Sequence, residues 1–371
     1  MEYEIQNIFN KLTIILVLKN REEFTERWLK YINSIDPFFH IIIADGSESP
    51  LNLQYFSKFK IKSRIEYFHY GEDLTISNFV SKIDKVLEKV NTKYVVLMSN
   101  DDFPIINGIS AALSAMEANE DYVCAMGDCI DVSLSENFGS NLGNHVYGNL
   151  MINKSLYSNK SIEEREITER LDSFLKIYES FWHAIYRTTI LQKVYKSCTK
   201  MNLDSMLTYE LAANLHSLIY GKMVRLKNHT FMLHQSHPKM EAKKLPTATE
   251  YTQDTAWRKQ LETVFEEFST FTNELVALKI DYRNLFFSYL EYRSINLKSG
   301  KIVKRKESPR LVSFFKLKIG AIRYYYKVYV VSLTISKKKL GEFSIDSVDE
   351  VFKIKDFLSS EFKKLERIKV N

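Results

Sequence analysis

Along the first hundred positions, apolar runs of strand length alternate with amphipathic stretches of helix length. LTIILVL (12–18) is a continuous apolar run, the pattern of a strand covered on both faces. REEFTERWLKYINSI (21–35) places Phe24, Trp28, Tyr31, Ile32 and Ile35 on one helical face. FHIIIAD (39–45) predicts a second buried strand and RIEYFHY (64–70) a third. TISNFVSKIDKVLEKV (75–90) returns to helical spacing, and KYVVLMS (93–99) predicts a fourth strand. This alternation predicts a parallel sheet covered by helices on both faces.

INGISAALSAMEAN (106–119) predicts a helix and YVCAMGD (122–128) a strand. Residues 132–157 are rich in Ser, Asn and Gly and are expected to form a long loop over the site. FWHAIYRTTILQKVY (181–195) predicts a strand running into a helix, and YELAANLHSLIYG (209–221) a helix with a glycine stop. KMVRLKNHTFMLHQSHP (222–238) predicts a strand and a polar tail. Past about residue 240 the alternation gives way to helical patterns such as WRKQLETVFEEFSTFTNELVALKI (257–280). Two regions are therefore expected, an α/β unit over 1–240 and a mainly helical, basic region over 241–371.

Composition narrows the function classes. With 11 Gly and 6 Pro in 371 residues, neither a turn-rich all-β fold nor a glycine-rich phosphate loop is expected. Cys124, Cys129 and Cys198 form no CxxC pair, which argues against a disulfide framework or structural zinc and for buried thiols in a reducing compartment. The start, Met-Glu-Tyr-Glu-Ile, lacks the basic and apolar segments of a signal peptide, and no run is long and apolar enough to span a bilayer. A cytoplasmic protein is expected. The net charge of +6 is unevenly spread: between 293 and 339 Glu307 is the only acid, among interleaved Lys, Arg and aromatic residues. Such a segment suits nucleic acid, an anionic membrane surface, or a solvated helical face.

Ligands of open α/β sheets bind beyond the carboxyl ends of the strands. Three predicted strand ends are polar: Lys19-Asn20-Arg21, Asp45-Gly46-Ser47 and Asn100-Asp101-Asp102. Adjacent carboxylates repel each other unless a partner neutralises them. A hard divalent ion such as Mg²⁺ or Mn²⁺, bridging to a diphosphate, is one such partner. A solvated turn or a helix cap is the plain alternative.

TIILVLKNREEFTERWLKYI, HIIIADGSES and KYVVLMSNDDF together resemble the nucleotide-sugar-binding half of family 2-like GT-A glycosyltransferases. They are most similar to a bacterial branch whose first strand ends in Lys-Asn-Arg and whose acidic motif is Asp-Asp-Asp-Phe. FWHAIYRTTIL is similar to that branch's aromatic strand, and the resemblance covers residues 11 to 240. It implies a Rossmann-like mixed sheet flanked by helices and a nucleoside-diphosphate sugar as donor. Asn20, Arg21 and Lys82 would lie near the nucleotide, and Asp45 would hydrogen-bond its base. Asn100 and Asp102 match the ends of the DxD motif, with Asp101 between them and Asp102 as metal ligand. Asn100 departs from the usual Asp and removes one negative charge from the expected metal site.

An inverting transferase needs a general base for the acceptor hydroxyl. In enzymes of this type an acid at the start of a late helix supplies it. Glu210 is the expected base, with Asp204 and Asp128 as alternatives, and helix-dipole stabilisation as its non-catalytic role. His234 is expected near the metal or diphosphate, with His237 close by in sequence. His183 is expected to pack in the core or border the acceptor pocket, and Arg187 to meet phosphate or pair with a helix acid. With such a head, the basic segment favours a membrane over nucleic acid, because lipid-linked acceptors of bacterial surface polysaccharide assembly lie at the cytoplasmic leaflet. A nucleotidyltransferase is a rival, but LKNREEF contains no glycine. A decayed, non-catalytic scaffold is the other.

Overall fold

The computed structural model describes residues 8–35, 39–51, 64–135, 145–156, 160–177, 179–235, 255–271 and 345–370. Among the described residues nine strands form one mixed sheet. β1 (Leu12–Leu18), β2 (His40–Asp45), β3 (Ile65–His69) and β4 (Tyr94–Ser99) are mutually parallel in the order β3-β2-β1-β4. Every residue of β1 is buried, as its unbroken apolar run requires. Helix α1 (Glu22–Ile35) buries Phe24, Trp28, Tyr31 and Ile32 of the predicted face, together with Arg27, and leaves Ile35 half-buried. Helix α2 (Ile76–Leu87) opens on a reciprocal capping box. Thr75 Oγ1 accepts from the Asn78 amide, and Asn78 Oδ1 accepts from the Thr75 amide.

Beyond β4 the sheet departs from the parallel expectation. β5 (Asp102–Pro104) precedes α3 (Ile106–Ala118), which leads to β6 (Tyr122–Ser135) and β7 (Asn149–Ser155). α4 (Ile167–Ile177) is followed by β8 (Ile185–Arg187), α5 (Thr188–Met201), α6 (Met206–Tyr220) and β9 (Lys222–Gln235). β8 is inserted antiparallel between β4 and β6, β9 runs parallel to β6, and β5 closes the path antiparallel to β9. The result is the mixed sheet flanked by helices that the resemblance implies.

Three expectations are corrected here. The strand at 122–128 continues to Ser135, because Asp128, Asp131, Ser133 and Ser135 are buried by pairing with β9 or β7. The 132–157 segment is accordingly not one long loop: Val132–Ser135 pair with Asn149–Ile152 in an antiparallel ladder. Asp102 does not end a strand; it begins β5, opposite His234.

Gly108 lies where α3 crosses β9. A Cβ there would fall 1.9 Å from the Thr230 carbonyl oxygen, so the close approach requires glycine. The N-cap of α3, Ile105, has no capping side chain. Glu350 supplies one from a distant helix, α8 (Ile345–Val370), accepting from the Ile106 and Asn107 amides at 2.6 and 2.9 Å. α8 also buries Val351, Ile354 and Leu358, and Phe357 packs on Tyr31 and Tyr147. α7 (Thr255–Phe271) packs on α5 and α6. The basic 293–339 segment and His237 lie outside the described residues. No helix among the described residues is long and apolar enough to cross a membrane.

Candidate active site

The carboxyl ends of β1 and β4 open into a cleft of about 810 Å³. Val17, Leu18 and Lys19 line it from β1 and its exit, and Ser99 from β4. Asp73 to Ile76, Phe79 and Lys82 form one wall; Trp182, Asp204, Met206 and Glu210 form the other. Of the expected site residues, Lys82 and Glu210 therefore share one cavity, and Asp204 joins them.

Glu210 lies one turn into α6, in a setting that penalises its charge. Burial raises its carboxyl from 4.5 to about 7. Such a group is partly protonated at neutral pH and can take or give a proton there. Lys82 is only 2% exposed, and its ammonium donates to the Leu18 carbonyl at 3.1 Å and to the Asp73 carboxylate. Burial lowers the Lys82 pKa and raises that of Asp73, while their mutual attraction opposes both shifts. Gly46 makes room for this pair, since a Cβ there would fall 2.0 Å from Asp73 Oδ2.

A second cluster adjoins the cleft at Ser99 and Trp182. The buried Asp102 carboxylate accepts from the Ser99 amide at 3.4 Å and holds His234 Nδ1 at 2.7 Å. His183 Nδ1 lies 3.9 Å from its other oxygen. The three side chains offer ligand atoms all within 4.8 Å of one another. Burial opposes the His234 imidazolium, but Asp102 and then Asp101 and Asp131 outweigh it and raise the group to about 9. His183 is shifted the other way, because its burial outweighs the attraction of Asp102.

One carboxylate and two imidazoles fit a divalent ion of the transition series, such as Mn²⁺ or Zn²⁺, better than Mg²⁺. His183 was not among the expected ligands. Its place directly after an aromatic pair pointed to packing or to the border of the acceptor pocket.

Asn100 and Asp101 turn to α1 instead. Asn100 Nδ2 donates to Thr25 Oγ1 at 3.0 Å and to the Arg21 carbonyl at 3.3 Å. Asp101 accepts from Arg21 Nη1 at 2.8 Å. These contacts hold Asn20 and Arg21 in the left-handed region, at φ 56° and 63°, which costs non-glycine residues free energy. Asp45 is fully buried: its Oδ1 accepts from the Ser47 amide and hydroxyl, and its Oδ2 from Tyr67 at 2.6 Å. Asn20, Arg21, Asp45, Asn100 and Asp101 thus form a braced rim beside the cleft rather than its lining.

Arg187 turns to backbone carbonyls. It donates to the Met116, Asn119 and Tyr122 carbonyls at the end of α3. Asp128 sits in β6 and does not line the cleft. The three cysteines are buried and free, and burial pushes each thiol up, away from the reactive thiolate.

No protein-family model matches the chain, and no curated protein does. Among solved structures, S. aureus TarS 1-349 in complex with UDP is similar over 93% of this chain and 88% of that one, at 11% identity and a TM-score of 0.47. TarS 1-349 in complex with UDP-GlcNAc is similar over 75% of this chain and 79% of that one, at 12% identity and a TM-score of 0.43. This chain spans 36% of a longer S. aureus TarS structure, at 11% identity and a TM-score of 0.39. These values are too low to carry a ligand or an activity from TarS to this chain.

Proposed function

We propose that the protein is a GT-A glycosyltransferase that moves a sugar from a nucleoside-diphosphate donor to a glycan or lipid-linked glycan acceptor, with inversion. The observation that carries this reading is Glu210, an acid raised to about 7 that shares one cleft with Lys82 and the ends of β1 and β4. In the proposed reaction Glu210 takes the acceptor proton as the acceptor oxygen attacks the anomeric carbon. The bond from that carbon to the diphosphate breaks, and the diphosphate leaves with the electron pair. Lys82 offsets charge on the phosphates. Asn20, Arg21, Asp45, Asn100 and Asp101 shape the nucleotide side, where Asp45 acts on the base indirectly, by fixing Ser47 and Tyr67. Asp102, His183 and His234 would hold a divalent ion, which supplies further charge neutralisation for the leaving diphosphate.

Surface polysaccharide assembly at the inner face of a bacterial membrane suits this chemistry, with the basic 293–339 segment on anionic lipid. Incubation with a panel of nucleotide sugars, with and without Mn²⁺, tests the reading through release of nucleoside diphosphate. Release that Asp102→Ala and Glu210→Gln leave untouched would sink it. Sedimentation with anionic liposomes at low salt tests the membrane arm, and a protein that stays in the supernatant refutes that arm alone.

A further inference from the structure

The cleft carries an aromatic surface that the proposed chemistry has not used. Phe79 and Trp182 both line it, their rings 6.5 Å apart and inclined by 28°. Trp182 is half-buried and held from several sides. Its indole N–H points to the hydroxyls of Tyr195 at 3.0 Å and Tyr209 at 3.3 Å, and those hydroxyls bond to each other. Phe79 meets Tyr209 edge to face, and His183 meets Trp182 the same way at 4.6 Å. The indole donor is thus consumed on the protein side. What remains for the cleft is rigid π surface with no hydrogen bond to offer.

Polar groups surround this surface: Thr75 and Lys82 on α2 and its cap, Asp204 and Glu210 across from them. An apolar plate ringed by donors and acceptors matches one chemical class well. A pyranose presents C–H bonds on one face and hydroxyls around its edge. The C–H face suits the negative face of an aromatic ring, while the hydroxyls need the polar rim. A lipid chain would leave Lys82, Asp204 and Glu210 facing hydrocarbon, so it fits the cleft floor poorly. Leu74, 74% exposed, and Met206, 40% exposed, extend the apolar strip only at the mouth.

We infer that Trp182, backed by Phe79, is the platform on which the acceptor's terminal sugar ring lies, placing one of its hydroxyls at Glu210. This deepens the function proposed above and rests on it for the role of that sugar. A separate small cavity is lined by Trp182, Tyr195, Glu210 and Asn214, so ring and acid share neighbours on that side.

The chain has three tryptophans, which makes 5-fluorotryptophan a direct reporter by ¹⁹F NMR. Trp182→Phe assigns the resonance. Methyl α- and β-glycosides of glucose, galactose and N-acetylglucosamine are titrated, with UDP and GDP titrated in parallel. The expected result is a shift of the Trp182 resonance with a Kd on the order of millimolar for a matching glycoside, and no shift of buried Trp28. Phe79→Leu should weaken that binding about fivefold. Failure of every glycoside to move Trp182 overturns the platform, even if a nucleoside diphosphate binds and the transferase reading survives. If glycosides move Trp182 while no nucleotide binds and no donor is hydrolysed, the platform stands and the transferase reading falls.

Discussion

Glu210→Gln removes a charge that the fold disfavours and keeps the size of the side chain. The rise from 4.5 to about 7 corresponds to about 3 kcal/mol against the ionised form. Water in the cleft screens part of this, leaving about 2 kcal/mol. Between those two pH values the folded state keeps a proton that the unfolded state has released, so wild-type stability falls as pH rises through the window. Below 4.5 the penalty is absent, and above 7 it is complete. The amide carries no such penalty. The melting temperature of the variant, relative to wild type, should therefore climb by about 2–4 °C from the acid to the alkaline side, since a chain of 371 residues unfolds with a large entropy. Transfer should fall by about 10²–10⁴-fold, the worth of a positioned base. Thermal unfolding across this pH range and release of nucleoside diphosphate read the two effects separately. Parallel melting curves for variant and wild type across the window would refute the burial argument, and undiminished transfer would refute the base.

Lys82→Met leaves the Asp73 carboxylate without its buried partner and should cost about 3 kcal/mol in urea unfolding; adding Asp73→Asn should restore part of that. Gly46→Ala drives a methyl into Asp73 and should cost about 1–3 kcal/mol, with chemical denaturation as the measure. Mn²⁺ or Zn²⁺ should raise the melting temperature more than Mg²⁺, and Asp102→Ala, His183→Ala or His234→Ala should each remove that increment. An equal response to all three ions would refute the donor-set argument.

In the first half of the sheet β1, β2 and β4 were legible because they are buried on both faces and write that burial as apolar runs. β1 and β2 are examples, each stopped by polar residues at the cleft side. The second half hid itself for the opposite reason. β6 buries Asp128, Asp131, Ser133 and Ser135, so its composition reads as loop while its backbone pairs on both sides. β5 is three residues long and has no period to detect; it is a strand because β9 lies beside it. Single acids at the site were visible as types but not as neighbours. Asp102 stood out, yet only the sheet shows that it meets two histidines while Asp101 turns to Arg21.

The pairing of Asp102 with His234 also dates the site within the life of each molecule. The two partners are 132 positions apart, and the ladder between β5 and β9 brings them together. Contacts of such long sequence separation form only after their loop entropy has been met. The parallel strands β1 to β4 need only the first hundred residues, whereas Asp102 can meet His234 only once β9 has been made. The cluster of Asp102, His183 and His234 is therefore complete only after β9 has docked. Until then the Asp102 carboxylate lacks its nearest imidazole, so completion of the cluster is timed to β9.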